Sequence, residues 1–144
     1  MIWLIGNRGM LGRDIEVLLS NLGMEYIATD QDVDITDDHA IAGFLDKNDV
    51  NWCINAAAYT AVDKAEDEES KAFSINAEGP GILARNAVNR KIRIIHISTD
   101  YVFDGLKESP YMETDPMNPI SAYGRSKAEG ERKIAQTMDE FFII

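Results

Sequence analysis

The chain has 144 residues, 45% hydrophobic and 27% charged, which is apolar material enough for the core of one globular domain. Fourteen basic against 25 acidic residues leave a net charge of −11. Nucleic-acid binding needs clustered Lys and Arg, and a membrane surface needs a polybasic patch, so this balance argues against both partners. Cys53 is the sole cysteine, which excludes an internal disulfide and a multi-cysteine zinc site. The apolar N-terminal run stops at Gly6, too short for a signal peptide or a membrane span. The expectation is one cytoplasmic domain over residues 1–144.

Ile2–Ile5 is a short apolar run closed by glycine and predicts a buried strand. Met10–Leu22 follows with Leu11, Ile15, Leu18, Leu19 and Leu22 at helical spacing, and Gly23 ends it. Glu25–Thr29 reads as the second strand. Thr36 then looks like an N-cap, with Asp37 and Asp38 in the first helical turn and an apolar face at Ile41, Phe44 and Leu45. Val50–Asn55 predicts a third strand, and two helical stretches follow, over 61–68 and 70–90. Ile92–Ile97 is the most β-like run in the chain. Pro110, Pro116 and Pro119 mark residues 104–120 as a loop, Ser121–Met138 reads as a helix, and Phe141–Ile144 begins a fifth strand. Strands alternating with helices predict an α/β fold, a Rossmann-like doubly wound parallel sheet with helices on both faces.

Gly6, Gly9 and Gly12 form G-x-x-G-x-x-G where the first strand gives way to the first helix. A pyrophosphate needs bare backbone in a tight turn and the free N–H groups of a helix start, and this is the place that offers them. Asp30 stands at the end of the second strand, where a carboxylate accepts hydrogen bonds from a ribose 2′-OH. No Lys or Arg lies between Asp30 and Asp46, which favours NADH over NADPH. Tyr123 and Lys127 are spaced Tyr-x-x-x-Lys, which places both on one helix face. A nearby ammonium lowers a phenol's pKa, and such a tyrosine can hand a proton to an oxygen as hydride arrives. Ser98, Thr99 and Asp100 add two hydroxyls and a carboxylate at a strand's C-terminal end, the ligand-binding edge of open α/β sheets. Each motif has a bland alternative: a plain turn, a solvated acid, a surface helix. Their order along one chain is what accident does not supply.

These residues resemble the extended branch of the short-chain dehydrogenase/reductase superfamily, and within it the dTDP-4-dehydrorhamnose reductase family. The likeness is carried by the glycine loop at 6–12, by N-A-A-A-Y-T-A-V-D-K-A-E over 55–66, by S-T-D-Y-V-F-D-G over 98–105 and by Y-G-R-S-K-A-E-G-E over 123–131. The resemblance implies that Gly9, Met10 and Leu11 line the pyrophosphate, that Asp30 holds the adenosine ribose, and that Asp34 and Ile35 lie beside the adenine. Ala58, Tyr59 and Thr60 would meet the cofactor after the third strand, with Thr60 and Val62 near the sugar. Thr99 would hold the substrate's 4-keto oxygen, with Asp100 adjacent. Tyr123 would donate the proton, and Lys127 would bind the nicotinamide ribose and lower the tyrosine's pKa. The implied reaction is hydride transfer from NADH or NADPH to C4 of dTDP-4-dehydro-L-rhamnose, in the synthesis of cell-surface polysaccharide, and a homodimer is the assembly it suggests.

The chain departs from the family in two respects. Asp14 stands where relatives often carry glutamate at a metal-supported dimer contact, and the shorter side chain predicts no metal. Such reductases also run to about twice this length. The resulting expectation is a cofactor-binding part without its substrate-binding part, ending inside a strand, that binds NAD(H) but does not by itself reduce a nucleotide sugar. Two other readings stay open: another nucleotide-sugar epimerase or dehydratase of the superfamily, and a non-catalytic regulatory subunit resembling the β-subunit of methionine adenosyltransferase.

Overall fold

A computed structural model describes residues 1–144 throughout. Five parallel strands, β1 (Ile2–Ile5), β2 (Tyr26–Thr29), β3 (Trp52–Asn55), β4 (Arg93–His96) and β5 (Phe141–Ile143), pair in the order β2-β1-β3-β4-β5. The register sets Ile5 opposite Thr29 and Asn55, and Asn55 opposite His96. The residues that end β1, β3 and β4 therefore share one edge of the sheet. Helices α1 (Met10–Asn21), α2 (Asp38–Leu45), α3 (Glu69–Phe73), α4 (Gly79–Val88) and α5 (Ala122–Thr137) connect the strands.

Right-handed crossovers place α1 on one face of this sheet and α2, α4 and α5 on the other. The main core lies on the three-helix side. Trp3, Ile5, Cys53 and Ile94 point from the strands towards Ile41, Leu45, Leu83, Ala84 and Ile134. Trp3 anchors it, stacking on Phe44 at 4.4 Å while its Nε1–H donates to Thr29 Oγ1 at 2.9 Å. The burial of β4 alternates, with Ile94 and His96 fully covered, Ile95 half-buried and Arg93 exposed. That alternation marks a sheet packed by helices on one side and more open on the other.

Two local expectations change. The α2 cap is Asp37, whose Oδ1 accepts from His39 N–H and Ala40 N–H, and not Thr36. Thr36 instead donates its hydroxyl and its N–H to Asp34 Oδ1, a side-chain turn that competes with capping. The segment expected as two helices over 61–90 is a 3-10 turn at Asp63–Glu66, then α3, a π-helical turn at Ser74–Glu78 and α4. The remaining strand and helix ends fall within two residues of expectation. No helix is long and apolar enough to cross a membrane.

Candidate functional site

The glycine loop is dictated by close packing at its two ends. Gly6 has φ +86°, and a Cβ there would stand 2.7 Å from Ala57 N, so both conformation and contact demand glycine. At Gly12 a Cβ would fall 2.1 Å from Gly6 O, so only glycine lets α1 start directly on the loop. Gly9 differs, because a Cβ there meets nothing closer than Gly6 O at 3.4 Å. Its bareness relieves no clash and leaves the backbone open to a ligand. Gly9 caps α1 without a side-chain bond, so the first N–H groups of the helix, at Met10, Leu11 and Gly12, have no intrahelical partner. Such a start attracts a phosphate anion.

A cavity of 490 Å³ opens beside this loop, lined by Gly6, Gly9, Asp30, Asp34, Ile35, Ala58 and neighbours. Six of the expected cofactor positions thus meet at one site. Asp30 is set by the loop itself, since its Oδ2 accepts from Arg8 N–H at 3.2 Å. Met10 and Leu11 offer backbone, while their side chains point to solvent, 90% and 46% exposed. Tyr59 turns away: its hydroxyl donates to Glu68 at 3.0 Å, and its N–H donates to Asn76 Oδ1 at 2.8 Å. Thr60 and Val62 do not line this cavity. The bare backbone, the open helix start and the carboxylate at the strand end fit a dinucleotide.

The second group of residues lies at the ends of β4 and α5. Thr99 and Asp100 line a cleft of 910 Å³ with Ser98 and Glu131. Thr99 Oγ1 accepts from Tyr101 N–H at 3.2 Å, which turns the chain sharply and fixes the hydroxyl at the sheet edge. Ser121 caps α5 by accepting from Gly124 N–H at 3.0 Å. That first turn carries Tyr123, whose ring is buried edge-on to Tyr101 at 5.7 Å. Burial pushes the Tyr123 phenol pKa up, and the neighbouring Thr99 works against the rise. Thr99 and Tyr123 are therefore brought together as expected.

Lys127 is placed otherwise. Its ammonium was expected to depress the phenol's pKa, yet the phenol is raised and Lys127 is not among the groups acting on it. The lysine is buried and donates to Ile97 O at 2.6 Å, with His96 Nε2 at 3.4 Å. Burial lowers its pKa to about 8 against the opposing effect of Glu131.

Several residues around the site were not singled out from the sequence. Asn76, in the π-helical turn, accepts from Tyr59 N–H and donates Nδ2 to Tyr59 O at 3.0 Å and to Ser126 Oγ at 2.9 Å. It ties the loop after β3 to α5. Asn55 and His96 form a buried pair at 3.0 Å, and Glu131 accepts from the hydroxyl of Ser98, which the sequence itself marks. The apolar period of a strand hides such partners, which meet only through the fold; the asparagine closing β3 was the one available signal. No group of three or more His, Cys, Asp or Glu side chains stands where it could hold a metal.

Comparison with known proteins places this geometry. The family model described as RmlD substrate binding domain matches residues 1–144. The dTDP-4-dehydrorhamnose reductase of Aggregatibacter actinomycetemcomitans is 47% identical over 96% of this chain and 48% of its own. A crystal structure of a dTDP-4-dehydrorhamnose reductase from Clostridium acetobutylicum superposes with TM-score 0.95 at 44% identity, over 99% of this chain and 51% of that one. The Bacillus anthracis dTDP-4-dehydrorhamnose reductase, solved in complex with NADP, matches with TM-score 0.95 at 31% identity, again over 99% and 51%. The chain spans about half the length of the relatives it matches.

Proposed function

Because the chain belongs to the RmlD substrate binding domain family, we propose that it forms the dinucleotide-binding part of a reductase acting on the 4-keto group of a dTDP-4-keto-6-deoxyhexose, dTDP-4-dehydro-L-rhamnose in the first instance. The observation that carries this reading is one sheet edge holding both halves of the chemistry. The glycine cradle and Asp30 lie at the ends of β1 and β2, and the Thr99–Tyr123 pair lies at β4 and α5. The relatives named above, a reductase at 47% identity and one solved with NADP, support it.

In this reading Gly9, Met10 and Leu11 hold the pyrophosphate by backbone N–H groups, and Asp30 accepts from the adenosine ribose. Asp34 and Ile35 flank the adenine, and Ala58 closes the cavity from the β3 side. A bound nicotinamide dinucleotide supplies the hydride. Thr99 and Tyr123 grip the keto oxygen, and Tyr123 gives it a proton from Oη. A phenol whose pKa is raised by burial is protonated at neutral pH, as a donor must be. Lys127 keeps an N–H beyond the one given to Ile97 O and directs it to the nicotinamide ribose. Asp100, Thr60 and Val62 face the sugar. Asp30 favours NADH, because a 2′-phosphate would meet its carboxylate.

The test uses the full-length protein with a dTDP-4-keto sugar. Tyr123→Phe should bind NADH like wild type and lose turnover by about a hundredfold or more. Unchanged turnover removes the proton-donor role. In parallel, Asp30→Ala should weaken NADH more than NADPH, and equal weakening sinks the ribose assignment.

A further inference from the structure

Behind the Thr99–Tyr123 pair runs a chain of polar groups whose direction can be worked out atom by atom. Asn55 Oδ1 accepts from Ala57 N–H at 3.1 Å. A backbone N–H can only donate, so this bond fixes the amide and leaves Nδ2 as the group facing His96 Nδ1 at 3.0 Å. An amide nitrogen also only donates, so His96 Nδ1 must accept and carries no proton. The ring is fully buried, and burial with the nearby Lys127 lowers its pKa to about 3, so it is neutral. A neutral imidazole without hydrogen on Nδ1 has it on Nε2. Lys127 Nζ lies 3.4 Å from that nitrogen. An ammonium has no acceptor and would meet the Nε2–H donor to donor; an amine has a lone pair for it.

We infer that His96, locked by Asn55 into the tautomer with hydrogen on Nε2, is a positioning residue for Lys127 that favours the amine over the ammonium. In the amine form every contact is satisfied: Lys127 accepts from His96 and donates to Ile97 O. The remaining groups facing the lysine can be named. From its own helix come Tyr123, one turn earlier, and Glu131, one turn later. Glu131 accepts from Ser98 and is partly buried, and its carboxylate favours the ammonium. From β4 and its exit come His96, the Ile97 carbonyl and Ser98. The two ionisable neighbours from different elements, His96 and Glu131, thus act in opposite senses on one nitrogen. This balance lets Lys127 change charge close to neutral pH, as its value of about 8 also indicates. What that charge does for hydride transfer rests on the reductase reading above; the tautomer and the lysine's charge do not.

The polarity of the network can be reversed by one substitution. In Asn55→Asp the carboxylate still accepts from Ala57 N–H, but its second oxygen requires hydrogen on His96 Nδ1. Nε2 then becomes an acceptor for the ammonium. Heteronuclear NMR of the full-length protein, reading the histidine ring nitrogens and the lysine Nζ, tests this. Wild type should show His96 protonated on Nε2 and Lys127 titrating well below the exposed lysines. Asn55→Asp should move the proton to Nδ1 and raise the Lys127 pKa by about one unit or more. A proton on Nδ1 in wild type overturns the inference, and so does an unmoved Lys127 in a folded variant. Should the variant not fold, the wild-type tautomer decides alone. NADH binding by wild type, measured beside it, tests the cofactor reading separately.

Discussion

His96 illustrates how one residue can make stability depend on pH. Its folded pKa of about 3 lies below the ordinary 6.5, so the native state holds fewer protons than the unfolded state between those values. Stability from the neutral ring is therefore fully present above pH 6.5 and is lost as pH falls towards 3. The slope attributable to one such group is about 1.4 kcal/mol per pH unit. Chemical denaturation of wild type and His96→Gln from neutral to mildly acidic pH should show a shallower loss in the variant. Comparing the two cancels the carboxylates that titrate in the same range. Equal slopes would mean that the histidine is not buried neutral. This role was not legible in the sequence, where His96 is one polar letter in an apolar run; its partners Asn55 and Lys127 lie 41 and 31 positions away. The glycines and Asp30 were legible, because their chemistry is set by neighbours on the chain. Lys127 shows the limit between these cases: its spacing from Tyr123 places both on α5, but its polar contacts His96 and Ile97 O come from β4 and its exit.

At the scale of elements, the join between the β3 loop and α5 rests on Asn76. A buried amide bonding both the N–H and the C=O of Tyr59, and also Ser126, fixes the loop that follows Ala58, which lines the cavity. Removing it leaves the buried Tyr59 N–H without a partner, which costs about 1–3 kcal/mol. Asn76→Ala should lower the unfolding free energy by about that amount and speed amide exchange at Tyr59 and Thr60 ahead of the core strands. Exchange unchanged at those two amides would show that other contacts hold the loop. The sequence pattern marked residues 70–90 as one helix because the apolar period runs on through the segment. The π-helical turn that aims Asn76 at the loop shifts the period by about one residue, too little for pattern reading to detect. The caps behaved differently. Ser121, read as the first residue of its helix, is in fact its cap, whereas Thr36 sits among aspartates that compete for the same N–H groups, and Asp34 captures it.

The whole molecule is asymmetric about its sheet. Crossing rightwards from β2 through β5 stacks α2, α4 and α5 on one face and leaves α1 alone on the other. On that emptier face Trp52, Ile54 and Ile95 are half-buried, and Phe142 and Ile144 are 57% and 72% exposed. Trp52 and Phe142 stack at 6.1 Å, with Arg93 over the indole, so the apolar surface is contiguous across β3 and β5. The alternating sheet-facing residues could be read from the sequence, but which face lacks a helix depends on strand order, and no local pattern carries that. Contiguous exposed apolar surface beside an unpaired strand edge favours self-association. The 144-residue chain should therefore show concentration-dependent association in sedimentation or light scattering, and the double substitution Phe142→Lys with Ile144→Lys should reduce it. The design separates two causes. The lysines bring the net charge of −11 nearer to zero, which weakens the repulsion between copies. If charge dominated, the variant would associate more. A drop in association at unchanged circular dichroism identifies the apolar β5 face as the contact; a rise, or no change, places the contact elsewhere.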